Sequence, residues 1–180
     1  MWANEGKFEY HRKYFDISAP ELDPVTERGF YMKPYQSPHP PIGVAATSVA
    51  SDSLRLAGQR GWIPMSSSNL VPQFLKGHWE VVAEDAANAG LTTDRKQWHI
   101  SREVFVAETD ELARERARVV LGRNYNEHQR ANRVGSGLIA GSKKDPNMPD
   151  EAVDVDYLMD NLWIVGGPQE CADQIRKLYE

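Results

Sequence analysis

The chain has 180 residues, 41% hydrophobic and 26% charged with five tryptophans, a composition that suits one globular domain able to bury a core. Its 21 basic and 26 acidic residues leave a net charge of −5 with no basic stripe, which argues against a nucleic-acid partner and for a neutral or small anionic ligand. A single cysteine excludes an internal disulfide, no apolar run of about 18 residues is present to span a bilayer, and the polar residues 1–7 lack an apolar signal core, which favours a cytoplasmic location.

Residues 1–41 are rich in proline, aromatics and turn formers and end in Lys33-Pro34-Tyr35-Gln36-Ser37-Pro38-His39-Pro40-Pro41. Each proline fixes its own φ and moves its predecessor out of the helical region, so an extended, loop-like approach segment is expected. Residues 42–46, Ile-Gly-Val-Ala-Ala, are apolar on both faces, as a buried strand should be. Thr47, Ser48 and Ser51 then form a hydroxyl-rich turn, and the spacing of Leu54, Ala57 and Gly58 marks a helix behind it.

The unit repeats. Residues 62–66 read as a second strand, followed by Ser67 and Ser68 and by a helix that Asn69 is expected to cap and Gly90 to end. Residues 98–107 alternate and are rich in β-branched and aromatic side chains, a third strand. Thr109 and Asp110 open a charged helix with Ala113, Ala117, Val120 and Leu121 on its apolar side. Three β–α units over 42–130 predict a parallel α/β architecture. Residues 131–150 are glycine-rich and polar and are expected to be a mobile loop, and 151–180 are expected to hold the C-terminal helices, with Pro168 at a first helical position. All of this makes a single domain over 1–180.

A strand end followed by Thr47, Ser48 and Ser51 places hydroxyls and backbone N–H groups at a helix start, where the dipole favours an anion. On the residues alone, a plain N-cap role for Ser48 or Ser51 is the simpler reading. Met65 and Ser66 close the second strand, either beside a ligand or merely leading into a serine turn. None of the five histidines has a partner at metal-ligand spacing, and the Gly-x-Ser-x-Gly elbow of hydrolases is missing, so neither a metal site nor a hydrolase is expected. His39 and His78 are expected to be solvated or capping, Trp62 and Trp98 to pack, and Cys171 to sit in the core.

Three stretches carry a resemblance. Residues 34–61 contain Lys-Pro-Tyr-Gln-x-Pro-His-Pro-Pro-Ile, a small-residue strand, Thr-Ser-x-x-Ser and Ala-Gly-x-x-Gly-Trp; residues 106–114 read Val-Ala-Glu-Thr-Asp-Glu-Leu-Ala-Arg; residues 165–172 read Val-Gly-Gly-Pro-Gln-Glu-Cys-Ala. In that order they resemble the luciferase-like flavin-dependent monooxygenases, the group of alkanal and terpene monooxygenases. The resemblance implies part of a (β/α)8 TIM barrel: about three parallel strands, the fifth to seventh by analogy, without the N-terminal strands and the last one. It implies FMN as cofactor, its phosphate held by Thr47, Ser48 and Ser51, with Met65 and Ser66 on one wall and residues 135–146 as a lid.

The implied reaction uses reduced FMN and O2 to insert one oxygen atom into an organic substrate. The implied partners are a flavin reductase and further subunits, like or unlike. No catalytic residue is named, because the family's catalytic histidine belongs to the other half of the barrel. Two alternatives stand beside this: an oxidoreductase on the same barrel using the deazaflavin F420, and a truncated, non-catalytic paralogue or flavin-binding partner subunit. The Pro-His-Pro-Pro-Ile string and the threonine-serine turn favour the oxygenases over F420.

Overall fold

The computed structural model describes residues 7–19, 21, 23–26 and 34–179. The rest, including residues 1–6 and 27–33 of the expected approach segment, lie outside the described residues. Two compact units divide at Pro41.

In the first unit, β1 (Phe8–His11) and β2 (Asp16–Ala19) pair antiparallel, with Phe8 opposite Ala19 and Tyr10 opposite Ile17. Those cross-strand apolar pairs stabilise a hairpin, which corrects the loop-like expectation for this part of the segment. Residues 34–41 carry neither helix nor strand.

The second unit alternates parallel strands and helices. The order is β3 (Gly43–Ala46), α1 (Asp52–Arg60), β4 (Ile63–Ser66), α2 (Leu75–Asn88), β5 (His99–Ile100), β6 (Val104–Val106), α3 (Asp110–Asn124), α4 (Arg130–Gly135), α5 (Val155–Asn161), β7 (Ile164–Gly166) and α6 (Pro168–Tyr179). β3, β4 and β5 form one parallel sheet in that order, and β6 pairs parallel with β7 in another. This is an α/β arrangement of parallel strands with flanking helices and no closed barrel among the described residues.

The expected third strand is interrupted at residues 101–103. There the Arg102 guanidinium turns to donate to Leu70 O at 3.0 Å and Ser101 O at 2.9 Å, and Glu103 accepts from Ser68 Oγ at 3.0 Å, so these side chains brace the turn after β4 while the backbone changes partner: Ser101 N donates to Ser66 O and Glu103 O accepts from Ile164 N, both at 2.9 Å. β7 is a strand where only helices were expected over 151–180; its three residues are all buried, consistent with the apolar run Leu162-Trp163-Ile164-Val165.

The Ala-Gly-x-x-Gly-Trp string acquires a physical meaning. A Cβ on Gly58 would lie 2.5 Å from Val82 O and 2.9 Å from Asp85 Cβ, so α1 and α2 touch backbone to backbone there. Gly61, at φ +64°, ends α1 in the left-handed conformation and returns its N–H to Ala57 O and Gly58 O. Asp85 ties the same helices by accepting from Gln59 Nε2 at 2.8 Å and Arg55 Nη1 at 3.3 Å.

The larger core gathers Val71, Tyr125, Ile139, Leu158, Trp163 and Val165, with the Tyr125 and Trp163 rings edge to face at 6.2 Å. Ile139 in that cluster corrects the expectation of a mobile loop over 131–150. Residues 130–135 are helical and Leu138–Ser142 is a 3₁₀ turn whose backbone sinks into the core: Gly141 O accepts from Val71 N at 2.9 Å, and Ser142 Oγ donates to Asn69 O at 2.8 Å. Small residues here admit the chain to the interior; residues 144–147 are exposed.

Candidate functional site

The register of β3 against β4 sets Ala46 beside Ser66, and Ser67 N donates to Ala46 O at 3.0 Å. Two turns therefore emerge side by side at the C-terminal ends of neighbouring parallel strands, the end at which α/β folds build sites. In the first turn Thr47 is exposed, and Ser48 and Ser51 are half-buried. Ser48 Oγ donates to Ala50 O at 2.7 Å. Ser51 occupies the N-cap position of α1 by its backbone, yet its hydroxyl caps no N–H, so the plain capping role is not realised in this geometry. Asp52 adds one exposed negative charge in the first helical turn.

Two buried side chains hold this turn from behind. Asn69 Nδ2 donates to Thr47 O at 2.8 Å and to Leu138 O at 3.2 Å, and His78 Nε2 lies 3.0 Å from Ser48 O. Asn69 is thus not the cap of α2. That helix is led in by the 3₁₀ turn Pro72–Phe74, where proline suits the first position, while the Asn69 carboxamide ties separate segments together.

At the end of β4 the pleat separates the two expected wall residues. Met65 is 38% exposed and shares an open face with Ala45 and His99, its register partners on β3 and β5. Ser66 points the other way and is fully buried. Its Oγ accepts from Trp98 Nε1 at 2.9 Å and lies 2.9 Å from His78 Nδ1. The expectation that Ser66 contacts a cofactor is corrected accordingly, since its hydroxyl is spent beneath α2. Trp98 packs as expected, stacked on Trp79 at 5.9 Å.

His78 departs from its expected solvated or capping role. It is 1% exposed, and burial lowers its pKa below the ordinary 6.5 while backbone hydrogen bonds with Ser48 and Val49 oppose that shift. Its place on the buried face of α2, with Leu75, Val82 and Ala86 at three-to-four spacing, is the signal that sequence reasoning passed over. His99, on the open face beside Met65, was also passed over; nothing in the sequence distinguished it. Cys171 is buried as expected, its thiol pushed up first by burial and then by the charges of Asp110 and Glu170. Among the described residues no three His, Cys, Asp or Glu gather to hold a metal ion, and no helix is long and apolar enough to cross a membrane.

The luciferase-like monooxygenase family model matches residues 1–180. The chain belongs to that family. It is 32% identical over 197 aligned positions to 3,6-diketocamphane 1,6-monooxygenase of Pseudomonas putida, covering 100% of this chain and 49% of the relative. It is 33% identical over 153 positions to limonene 1,2-monooxygenase of Rhodococcus erythropolis, covering 80% and 36%. Among solved structures it superposes with a TM-score of 0.76 and 31% identity on the oxygenating constituent of 3,6-diketocamphane monooxygenase from a Pseudomonas putida plasmid, a type II Baeyer-Villiger monooxygenase in complex with FMN, over 99% of this chain and 49% of that one. An F420-dependent secondary alcohol dehydrogenase, at a TM-score of 0.61 and 18% identity over 99% and 48%, shares the fold. The chain spans about half the length of the two diketocamphane relatives that it matches over its full length.

Proposed function

We propose that this chain supplies the phosphate-binding side of a monooxygenase that uses reduced FMN and O2 to insert one oxygen atom into an organic substrate, a cyclic ketone or terpene. The observation that carries this is the turn at 47–51, with Thr47 exposed and the Ser51 hydroxyl capping nothing at a helix start, in a chain 31% identical to an FMN-bound protein. The donor set fits a phosphate: two such hydroxyls, a third on Ser48 that must first leave Ala50 O, and the N–H groups of the turn. Asp52 opposes the anion, and its exposure lets water screen it.

Reduced FMN supplies the electrons by which O2 is split between product and water. The chain's own residues have simpler tasks. Thr47, Ser48 and Ser51 bind and orient the phosphate. Met65 lines the open face with Ala45, where small side chains leave room for a planar ring. A flavin reductase delivers the reduced cofactor, a role suggested by the relative's being named an oxygenating constituent, and the assembly is a cytoplasmic oligomer of like or unlike subunits.

A second reading is a flavin-binding, non-catalytic partner subunit, which would use the same phosphate turn without inserting oxygen. The protein that carries this chain, given reduced FMN, 18O2 and a panel of bicyclic ketones and monoterpenes, should yield product carrying one 18O atom. FMN binding without labelled product would instead establish the partner reading, tighter binding of F420 than of FMN would establish the deazaflavin alternative, and failure to bind any flavin would sink all of them.

A further inference from the structure

We propose that His78 is a positioning residue for the phosphate turn, acting through the Ser48 carbonyl; this rests on the flavin-phosphate reading above. The hydrogen-bond partners determine its proton. Ser48 O can only accept, so His78 Nε2, 3.0 Å away, carries the hydrogen. Trp98 Nε1–H can only donate, so Ser66 Oγ accepts it at 2.9 Å and sends its own proton to His78 Nδ1, also at 2.9 Å. Trp98, Ser66, His78 and Ser48 thus form one relay in which each donor meets an acceptor, provided the imidazole is neutral and protonated on Nε2. A proton on Nδ1 would force the Ser66 hydrogen to point elsewhere, and Ser66 is fully buried.

The relay matters for the anion because a trans peptide carries its C=O and N–H on opposite sides. His78, buried behind the turn, draws the Ser48 carbonyl inward and so turns the Val49 N–H outward. Asn69 does the same one residue earlier: it holds Thr47 O at 2.8 Å and turns the Ser48 N–H outward. Two consecutive N–H groups then face the side on which Thr47 is exposed, an arrangement that receives phosphate oxygens. His78 touches no ligand in this scheme; it fixes the peptide planes that do.

Two replacements separate this role from packing. His78→Gln places an N–H near the lost Nε2 and can still reach Ser48 O, whereas the shorter carboxamide of His78→Asn stays near the Nδ1 position and falls short of Ser48 O. Nitrogen-15 NMR of the wild-type chain at neutral pH should report the Nε2-protonated tautomer, and backbone shifts at Ser48 and Val49 should move in His78→Asn but stay near wild type in His78→Gln. FMN affinity should fall about tenfold in His78→Asn with riboflavin changed less than about twofold, and His78→Gln should recover most of the FMN preference. A wild type that prefers FMN to riboflavin, with that preference intact in His78→Asn, would overturn the role of His78 alone. A wild type without the preference would remove the phosphate reading and this proposal with it, and an Nδ1-protonated ring would break the relay whatever the ligand does.

Discussion

The turn at 47–51 and the segment from Arg130 to Ser142 are both rich in small and polar residues, yet they are built in opposite senses. In the turn, the carbonyls of Thr47 and Ser48 are held from inside by Asn69 and His78, while Thr47 is exposed and the Ser51 hydroxyl caps nothing. In the segment, Gly141 lies where a Cβ would come within 2.6 Å of Leu70 Cδ2, the Ser142 hydroxyl is buried on Asn69 O, and Ile139 is part of the core. Small residues in the first region leave donors available at the surface; in the second they let the backbone enter the interior. Asn69 serves both, by donating to Thr47 O and Leu138 O and accepting at its own carbonyl from Ser142.

The contrast predicts where substitutions hurt. Ile139→Ala should destabilise the fold by about 2–4 kcal/mol in urea unfolding, the cost of emptying a buried aliphatic site; a loss under about 0.5 kcal/mol, typical of surface positions, would return the segment to the status of a loop. Gly141→Val should cost about 1–3 kcal/mol, because the added branches meet Leu70, which is fully buried and has little room to yield. An unchanged melting temperature would show that the close contact is slack.

Support beneath the turn has a pH signature. The His78 pKa is lowered on folding, so above its ordinary value of 6.5 neither folded nor unfolded chain holds the proton and the relay is intact. As pH falls through 6.5 the unfolded chain takes the proton first, so stability declines until the depressed folded value is passed and then levels off. His78→Asn should lack this slope in urea midpoints measured at several pH values. An identical slope in that variant would assign the effect to other groups. The smallest change is expected on the outer side of the turn: Thr47→Ala and Ser51→Ala should each alter stability by less than about 0.5 kcal/mol, because neither hydroxyl holds the fold.

Legibility in the sequence followed the same division. β3, α1, β4 and α2 were readable because small apolar runs and three-to-four spacing act locally, and Gly58 and Gly61 stand where helix contact and helix ending require them. The segment at 130–142 was not readable, since glycine, serine and alanine look alike whether the backbone is exposed or sunk; only tertiary partners such as Leu70 and Asn69 decide. β7 was missed because its pairing with β6 spans a long sequence separation and leaves a trace of only three residues. Thr47, Ser48 and Ser51 could be nominated from the turn, whereas Ser66 was misassigned because the pleat that sends Met65 outward sends its neighbour inward. His78 went unread as support because its partners, Ser66 and Ser48, lie on two different strand ends.

If the donors of the turn face a phosphate, ligands with and without that group should respond differently to their loss. FMN and riboflavin differ by the phosphate alone, and a hydrogen bond to a charged group contributes about 1.5–3 kcal/mol. Replacing Thr47 and Ser48 together by alanine should weaken FMN by at least about tenfold, a conservative figure because the Ser48 proton already has a partner in Ala50 O, while riboflavin binding stays within about twofold of wild type. Equal weakening of both ligands, or of neither, would contradict the account and leave Thr47 and Ser48 as residues of the fold alone.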